Sequence, residues 1–263
     1  MAGELFLILM LVAMVAGFID AIAGGGGLIT LPALLLAGLS PVQALATNKL
    51  QSSAGSFSAT FAFFRQGLIQ WHHSKWVFFL ALTGGMIGAL LATRLPATFL
   101  QIVVPLLLLS VAIYFLFSPN LDGRERRAKI SRTLFLLTIV PLIGFYDGIF
   151  GPGTGSFFMV AFVLLLGSTL VNAIAETKLA NFASNIGSLL IFAFSGEMQV
   201  LLGLLMALGA FIGAQLGALF AVKYGGKVIR PLLIVMSVAM AIKLLLEPNN
   251  PLSLWVLSFW GSR

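Results

Sequence analysis

The sequence has no cysteine, only two histidines and only 9% charged residues among its 263, and each shortage removes a kind of chemistry. Without cysteine there are no disulfides, no thiolate nucleophile and no thiolate metal site. His72 and His73 are adjacent, with no carboxylates clustered around them in the sequence, so no metal site is expected. Soluble domains carry charge on about a quarter of their residues. A chain that is 9% charged and 60% hydrophobic, with a mean hydropathy of +1.08, is instead an integral membrane protein. The net charge of +7 sits mostly in short loops between apolar runs. There it sets membrane orientation rather than marking a nucleic-acid partner. The first ten residues hold Glu4 as their one charge and lack the basic stretch of a cleaved signal peptide.

What the chain does have is glycine in two unusual places. Gly24 to Gly27 interrupts an apolar segment of membrane length, and Gly151-Pro152-Gly153 interrupts another. Six of the ten positions from Gly17 to Gly26 are identical to those from Gly144 to Gly153, and Gly84, Gly88 and Ala89 match Gly209, Gly213 and Ala214. The chain is an internal duplication. The apolar runs exceed the length of buried core helices and lack the alternation of barrel strands, so about eight to ten helical segments are expected.

In order, they are Leu5 to Ala23, a short arm from Leu28 to Gly38, a helix to about Phe64, then Trp76 to Thr93 and Phe99 to Phe117. Ser40-Pro41-Val42-Gln43 has the pattern of a capping box with proline at the first helical position. The second half repeats the order: Thr133 to Phe150, an arm to Leu166, then Leu170 to Phe194, Gln199 to Val222 and Val228 to Leu246. Between the halves lies a basic linker with Arg124, Arg126, Arg127, Lys129 and Arg132. The positive-inside rule puts it in the cytoplasm, together with the loops Arg65 to Lys75 and Lys223 to Arg230, and leaves both termini outside. The fold expected is an all-α integral membrane protein of two inverted repeats, 1–118 and 133–263, joined by a cytoplasmic linker, 119–132. Each repeat is a glycine-broken, re-entrant hairpin followed by three transmembrane helices, an arrangement typical of secondary transporters.

The paired breaks mark the candidate site. Irregular backbone at membrane depth is tolerated only where it is buried in protein or lines a cavity, and the helix start that follows each break suits an anion. No Gly-Lys-Ser/Thr follows the glycine run, so it is no nucleotide loop, and no cofactor is called for. By contrast, Gly84, Gly85, Gly88, Gly209 and Gly213 are read as helix-packing glycines. Lys49 and Lys178 lie well inside apolar helices, where a charge marks function by default. Ser52, Ser53, Ser56 and Thr60 share a helical face with Lys49, and Asn181, Asn185 and Ser188 share one with Lys178. Either lysine could face substrate, or could pair within its own repeat, Lys49 with Asp20 and Lys178 with Asp147 or Glu176. Asp20, Asp147 and Glu176 are candidates for proton coupling or for structural pairing.

These motifs resemble the sulfite exporter TauE/SafE family of membrane transporters over nearly the whole chain. The resemblance is carried by Gly17-Phe18-Ile19-Asp20 with Ala23 to Gly27, Ala46-Thr47-Asn48-Lys49-Leu50, Gly144-Phe145-Tyr146-Asp147-Gly148 with Phe150-Gly151-Pro152-Gly153, and Lys178-Leu179 with Asn181. It implies export of small sulfur-containing anions such as sulfite or organosulfonates. The expected protein is a multi-pass carrier of the bacterial inner membrane, not an enzyme, with the lipid bilayer and a small anion as partners. Its oligomeric state is open, a homodimer included. The anion site is expected at Gly24, Gly25, Gly26, Gly27, Thr47, Asn48, Lys49, Gly151, Gly153, Thr154, Ser156, Thr177, Lys178 and Asn181. The competing readings are an anion channel and a membrane-embedded aspartyl protease using Asp20 and Asp147.

Overall fold

The computed structural model describes residues 2–117 and 127–224. Residues 118–126 of the linker and the expected last helix, Val228 to Leu246, lie outside the described residues. All regular structure within them is helical: α1 (Ala2–Ala23), α2 (Gly27–Leu36), α3 (Pro41–Arg65), α4 (Trp71–Ala92) and α5 (Ala97–Phe117) in the first half. In the second half α6 (Arg132–Leu134), a π-helical turn (Phe135–Ile139) and α7 (Val140–Ile149) run on as one rod, followed by α8 (Thr154–Leu166), α9 (Leu170–Ala193) and α10 (Val200–Tyr224).

Local chemistry accounts for most boundaries. The Ser40 hydroxyl accepts from the Gln43 amide while the Gln43 side chain accepts from the Ser40 amide, and Pro41 opens α3 without an N–H to leave unpaired. The Thr169 hydroxyl caps α9 by accepting from the Asn172 amide. Helix α4 starts at Trp71, five residues before the expected Trp76. His72, His73, Ser74 and Lys75 form its polar first turn, because a helix end beyond the apolar layer can carry polar side chains. The π turn was not anticipated; it lies just before Pro141, which has no N–H to continue the ladder.

Four helices are long and apolar enough to cross a membrane among the described residues: Gly3–Ala23, Trp71–Ala92, Arg132–Ile149 and Val200–Ala221. Helices α2, with 10 residues, and α8, with 13, are too short to span a hydrocarbon layer of about 30 Å at 1.5 Å per residue. Leu7, Ile8, Val15, Trp76, Phe79, Leu208 and Leu216 are exposed on the outer faces, as lipid contact requires.

Helices of opposite halves interlock. Helix α1 lies along α10 and α7 along α4, while α10 also packs on α3, α4 on α9, and α3 crosses α9. In lipid there is no hydrophobic force between helices, so close van der Waals packing must hold them. Glycines supply it. Gly209, Gly213 and Gly217 abut the carbonyls of Met10, Met14 and Phe18, and Gly84 and Gly88 abut those of Pro141 and Phe145. Residue numbers rise together along both seams, so α1 runs parallel to α10 and α4 parallel to α7. Ser188 donates to the Gly85 carbonyl at 3.2 Å and Ser58 to that of Phe211 at 2.8 Å, adding interhelical hydrogen bonds. The packing role read for these glycines is what the structure shows.

One end of the bundle gathers the start of α4, the end of the linker and the end of α8. Arg132 Nη2 donates to the His73 carbonyl at 2.9 Å, and the Lys129 amide to that of Leu165 at 2.8 Å. The seams yield a direct test. A Cβ on Gly144 would stand 2.6 Å from the Ala81 carbonyl oxygen, whereas one on Gly3 meets nothing within 4 Å. Gly144→Leu is expected to abolish the monodisperse peak in detergent size-exclusion chromatography, and Gly3→Ala to leave it unchanged.

Candidate functional site

Helix α1 ends at Ala23 and α7 at Ile149, so each leaves last-turn carbonyls without helical partners and presents the negative end of its dipole. Each end is met by a lysine from the other half. Lys178 Nζ on α9 donates to the Asp20 carbonyl and lies 3.0 Å from Asp20 Oδ2. Lys49 Nζ on α3 donates to the Asp147 carbonyl, lies 3.0 Å from Asp147 Oδ1, and reaches Asn185 Oδ1 at 3.2 Å. The expected pairings within each repeat, Lys49 with Asp20 and Lys178 with Asp147 or Glu176, are therefore corrected: the ion pairs are crosswise. Antiparallel crossing of α3 and α9 explains this. Lys49 sits against Asn185 while Phe57, eight residues on, meets Phe182, so each lysine projects toward the opposite break.

Both lysines are enclosed, at 0% and 1% exposure, and so is Asp147 at 2%, while the Asp20 side chain keeps 19%. Asp20 Oδ1 also accepts from the Gly26 amide across its own break at 3.1 Å, and Asp147 Oδ2 accepts from Ser184 at 2.6 Å. The breaks touch one another. Ser156 donates its hydroxyl to the Ala23 carbonyl and its amide to that of Gly24 at 3.1 Å. Gly24 has φ +77°, and a Cβ there would stand 2.7 Å from Gly155 Cα. Only glycine satisfies both the left-handed backbone and that approach.

Between the breaks is a cavity of about 30 Å³, and residues of both halves line it. Of the expected site residues it is lined by Gly24, Gly26, Gly27, Asn48, Gly151, Gly153 and Asn181, and by Asp20 and Asp147. The others lie behind or beside it. Lys49 and Lys178 are held by the carboxylates, Thr154 donates to the Gly151 carbonyl, Thr47 accepts from the Gln199 amide, and Gly25 and Thr177 are off the wall. Glu176 is remote from it and accepts from Ser74.

Gln51, Ser52, Ser56 and Asn185 complete the polar lining. Ser52, Ser56 and Asn185 were visible as polar positions on the lysine faces. Gln51 was not, although its spacing of three from Asn48 is the signal that places both on one side of α3. Thr30 donates to Asn48 Oδ1 at 2.6 Å, and Gln51 Nε2 donates to the same oxygen at 2.8 Å. Asn185 Nδ2 donates to Asn181 Oδ1 at 3.3 Å. Both amide oxygens thus accept hydrogen bonds, and both residues line the cavity. An aspartyl protease needs two carboxyls sharing one water, whereas here each has a lysine of its own.

The family model for the sulfite exporter TauE/SafE matches residues 9–244. The chain belongs to the sulfite exporter TauE/SafE family. It is 47% identical over 256 residues to "Probable membrane transporter protein ORF9" of Sinorhizobium sp, covering 97% of this chain and 98% of that protein. Similarity to "Probable membrane transporter protein YfcA" of Escherichia coli (strain K12) is 44% over 243 residues, covering 92% and 90%. A "Probable membrane transporter protein" of Haemophilus influenzae is 42% identical over 248 residues, covering 93% and 96%. No solved structure matches the chain significantly. Membership makes this TauE/SafE protein a membrane transporter, and the relatives' names carry no substrate.

Removing one member of a buried ion pair costs about 3–5 kcal/mol, because the other charge stays buried without its partner. Lys49→Gln is therefore expected to lower the unfolding temperature in detergent. Asp147→Asn should restore most of the loss and Asp20→Asn none of it. Rescue by Asp20→Asn would put the pairing back within one repeat.

Proposed function

We propose that this TauE/SafE protein exports a small sulfur-containing oxyanion, sulfite or an organosulfonate, across the bacterial inner membrane, with the cavity between the glycine breaks as its binding site. The observation that carries this is the sign of the free hydrogen-bonding groups. Both cavity carboxylates are neutralised by a lysine. The oxygens of Asn48 and Asn181 are engaged, and their NH2 groups remain. Amide donors of fixed orientation suit an acceptor-only ligand such as an oxyanion. Lys49 and Lys178 act by neutralising the wall and holding the broken helix ends rather than by touching the anion. The volume suits a solute of a few atoms.

We read the architecture as two inverted repeats, 1–118 and 133–263, with α1 and α2, and α7 and α8, as re-entrant hairpins. The antiparallel course of α3 and α9 supports it, as does the reciprocal packing of α1 on α10 and α7 on α4. Binding between two such units allows access to alternate by rocking one against the other. Outward movement of one anionic charge across an inside-negative membrane is favourable by about 2.3 kcal/mol per 100 mV, so export needs no nucleotide.

Two measurements test this. Sulfite should raise the unfolding temperature of the purified protein and exchange across proteoliposomes with counterflow. Asn48→Leu and Asn181→Leu should each weaken sulfite binding about tenfold, the loss of one hydrogen bond of about 1.4 kcal/mol. Sulfite, sulfoacetate and taurine all failing to bind would overturn the substrate. For the topology, reporters at residues 70 and 197 should report opposite faces of the membrane, and the same face would overturn the inverted repeats.

A further inference from the structure

The register that matches Lys49 with Lys178 also matches Thr47 with Glu176, and the register that matches Gly84 with Gly209 matches Ser74 with Gln199. The structure bonds a member of one matched pair to a member of the other, once for each repeat. Thr47 Oγ1 accepts from the Gln199 amide at 3.1 Å, which pins the first turns of α3 to the start of α10. Ser74 Oγ donates to Glu176 Oε1 at 2.6 Å, pinning the first turns of α9 to the start of α4. They are equivalent latches toward opposite ends of the bundle. They differ in their chemistry: the first is a backbone amide on a hydroxyl, the second a hydroxyl on a carboxyl group whose other oxygen, Oε2, is buried with no hydrogen-bond partner among the described residues.

We propose that Glu176 is the proton-binding group of the transport cycle, and that its bond to Ser74 is a latch released when the carboxylate takes up a proton. The reading of the cavity as the transport site enters only in saying what the latch gates. The charged and titratable groups facing Glu176 are His73 on α4 and Arg132 at the start of α6. Arg132 is itself tied to the α4 start through the His73 carbonyl. With the carboxylate ionised, it accepts a charge-assisted bond from Ser74 and attracts Arg132, and α4, α6 and α9 are drawn together. A proton bound at Oε2 removes the charge, leaving a neutral hydrogen bond of about half the strength and no attraction to Arg132. The α4–α9 contact then opens at that end. The Thr47–Gln199 latch has no titratable member and stays shut. Glu176 lies five residues before the cavity-lining Asn181 on α9, about 7.5 Å along the axis, so the two share one rigid helix through which a shift at the latch is carried to the cavity wall. Asp20 and Asp147 are poor candidates for the same task, because each is already held by a lysine.

The cysteine-free chain allows a readout that needs no substrate. Ala173 is fully buried on α9, three residues before Glu176. Ala173→Cys should react with maleimide in detergent only when the α4–α9 contact opens, and its rate is to be scaled to that of a cysteine at exposed Gln66. From pH 8 to pH 5.5 the scaled rate should rise at least fivefold, and addition of Glu176→Gln should hold it near the low-pH level at every pH. Ser74→Ala should raise the pH 8 rate while a monodisperse size-exclusion peak shows that the fold persists. If Glu176→Gln fails to fold, this second variant decides. A scaled rate that does not change with pH overturns the proposal, as does a response that survives Glu176→Gln, which would assign it to His73, or a pH 8 rate unmoved by Ser74→Ala. Failure of sulfite to bind leaves each of these labelling outcomes interpretable, so the latch and the substrate stand or fall separately.

Discussion

Each lysine buried in one half grips the end of the broken helix in the other. A charge in the interior of a membrane protein is tolerated only with a partner. A helix stopped in mid-segment leaves carbonyls that need donors. Lys49 and Lys178 each bind a carboxylate and a last-turn carbonyl of the opposite half, the Asp20 carbonyl also accepting from the Gly24 amide at 2.8 Å. Because the grip is reciprocal, neither half can complete its break alone. The glycine seams follow from this: α1 must lie along α10 and α7 along α4 for the lysines to reach, and only small residues let the backbones come that close.

The same constraint shapes the cavity. Two breaks meeting at Gly24 and Gly155 keep side chains out of the centre, while the ion pairs cancel the charge of its walls. On the proposed function, the amides of Asn48 and Asn181 are the donors offered to the ligand, their oxygens being held by neighbours. On that reading, a neutral, donor-rich pocket would hold a small anion without trapping it as an exposed lysine would.

The broken segments and the capped start of α3 were legible in the sequence, because glycine, proline and Ser-x-x-Gln act through local backbone geometry and so leave a local trace. The packing glycines were legible for the same reason, as repeated small residues on apolar helices. The membrane class followed from the scarcity of charge, and the family from motifs that recur at fixed order along the whole chain. That Lys49, Lys178, Asp20 and Asp147 would need partners could be read from the cost of charge in lipid alone.

Which of these charges meet was decided by tertiary structure. Sequence proximity favoured pairing within a repeat, but the antiparallel crossing of α3 and α9 carries each lysine away from its own break and onto the other. The same crossing leaves the lysines off the cavity wall and Gln51 and Asn185 on it. Local chemistry determined where the chain would break and which side chains would need partners. The partners themselves depend on how two halves dock, and that depends on side chains reaching backbone carbonyls more than 130 positions away, such as Ser156 to Ala23 and Lys178 to Asp20.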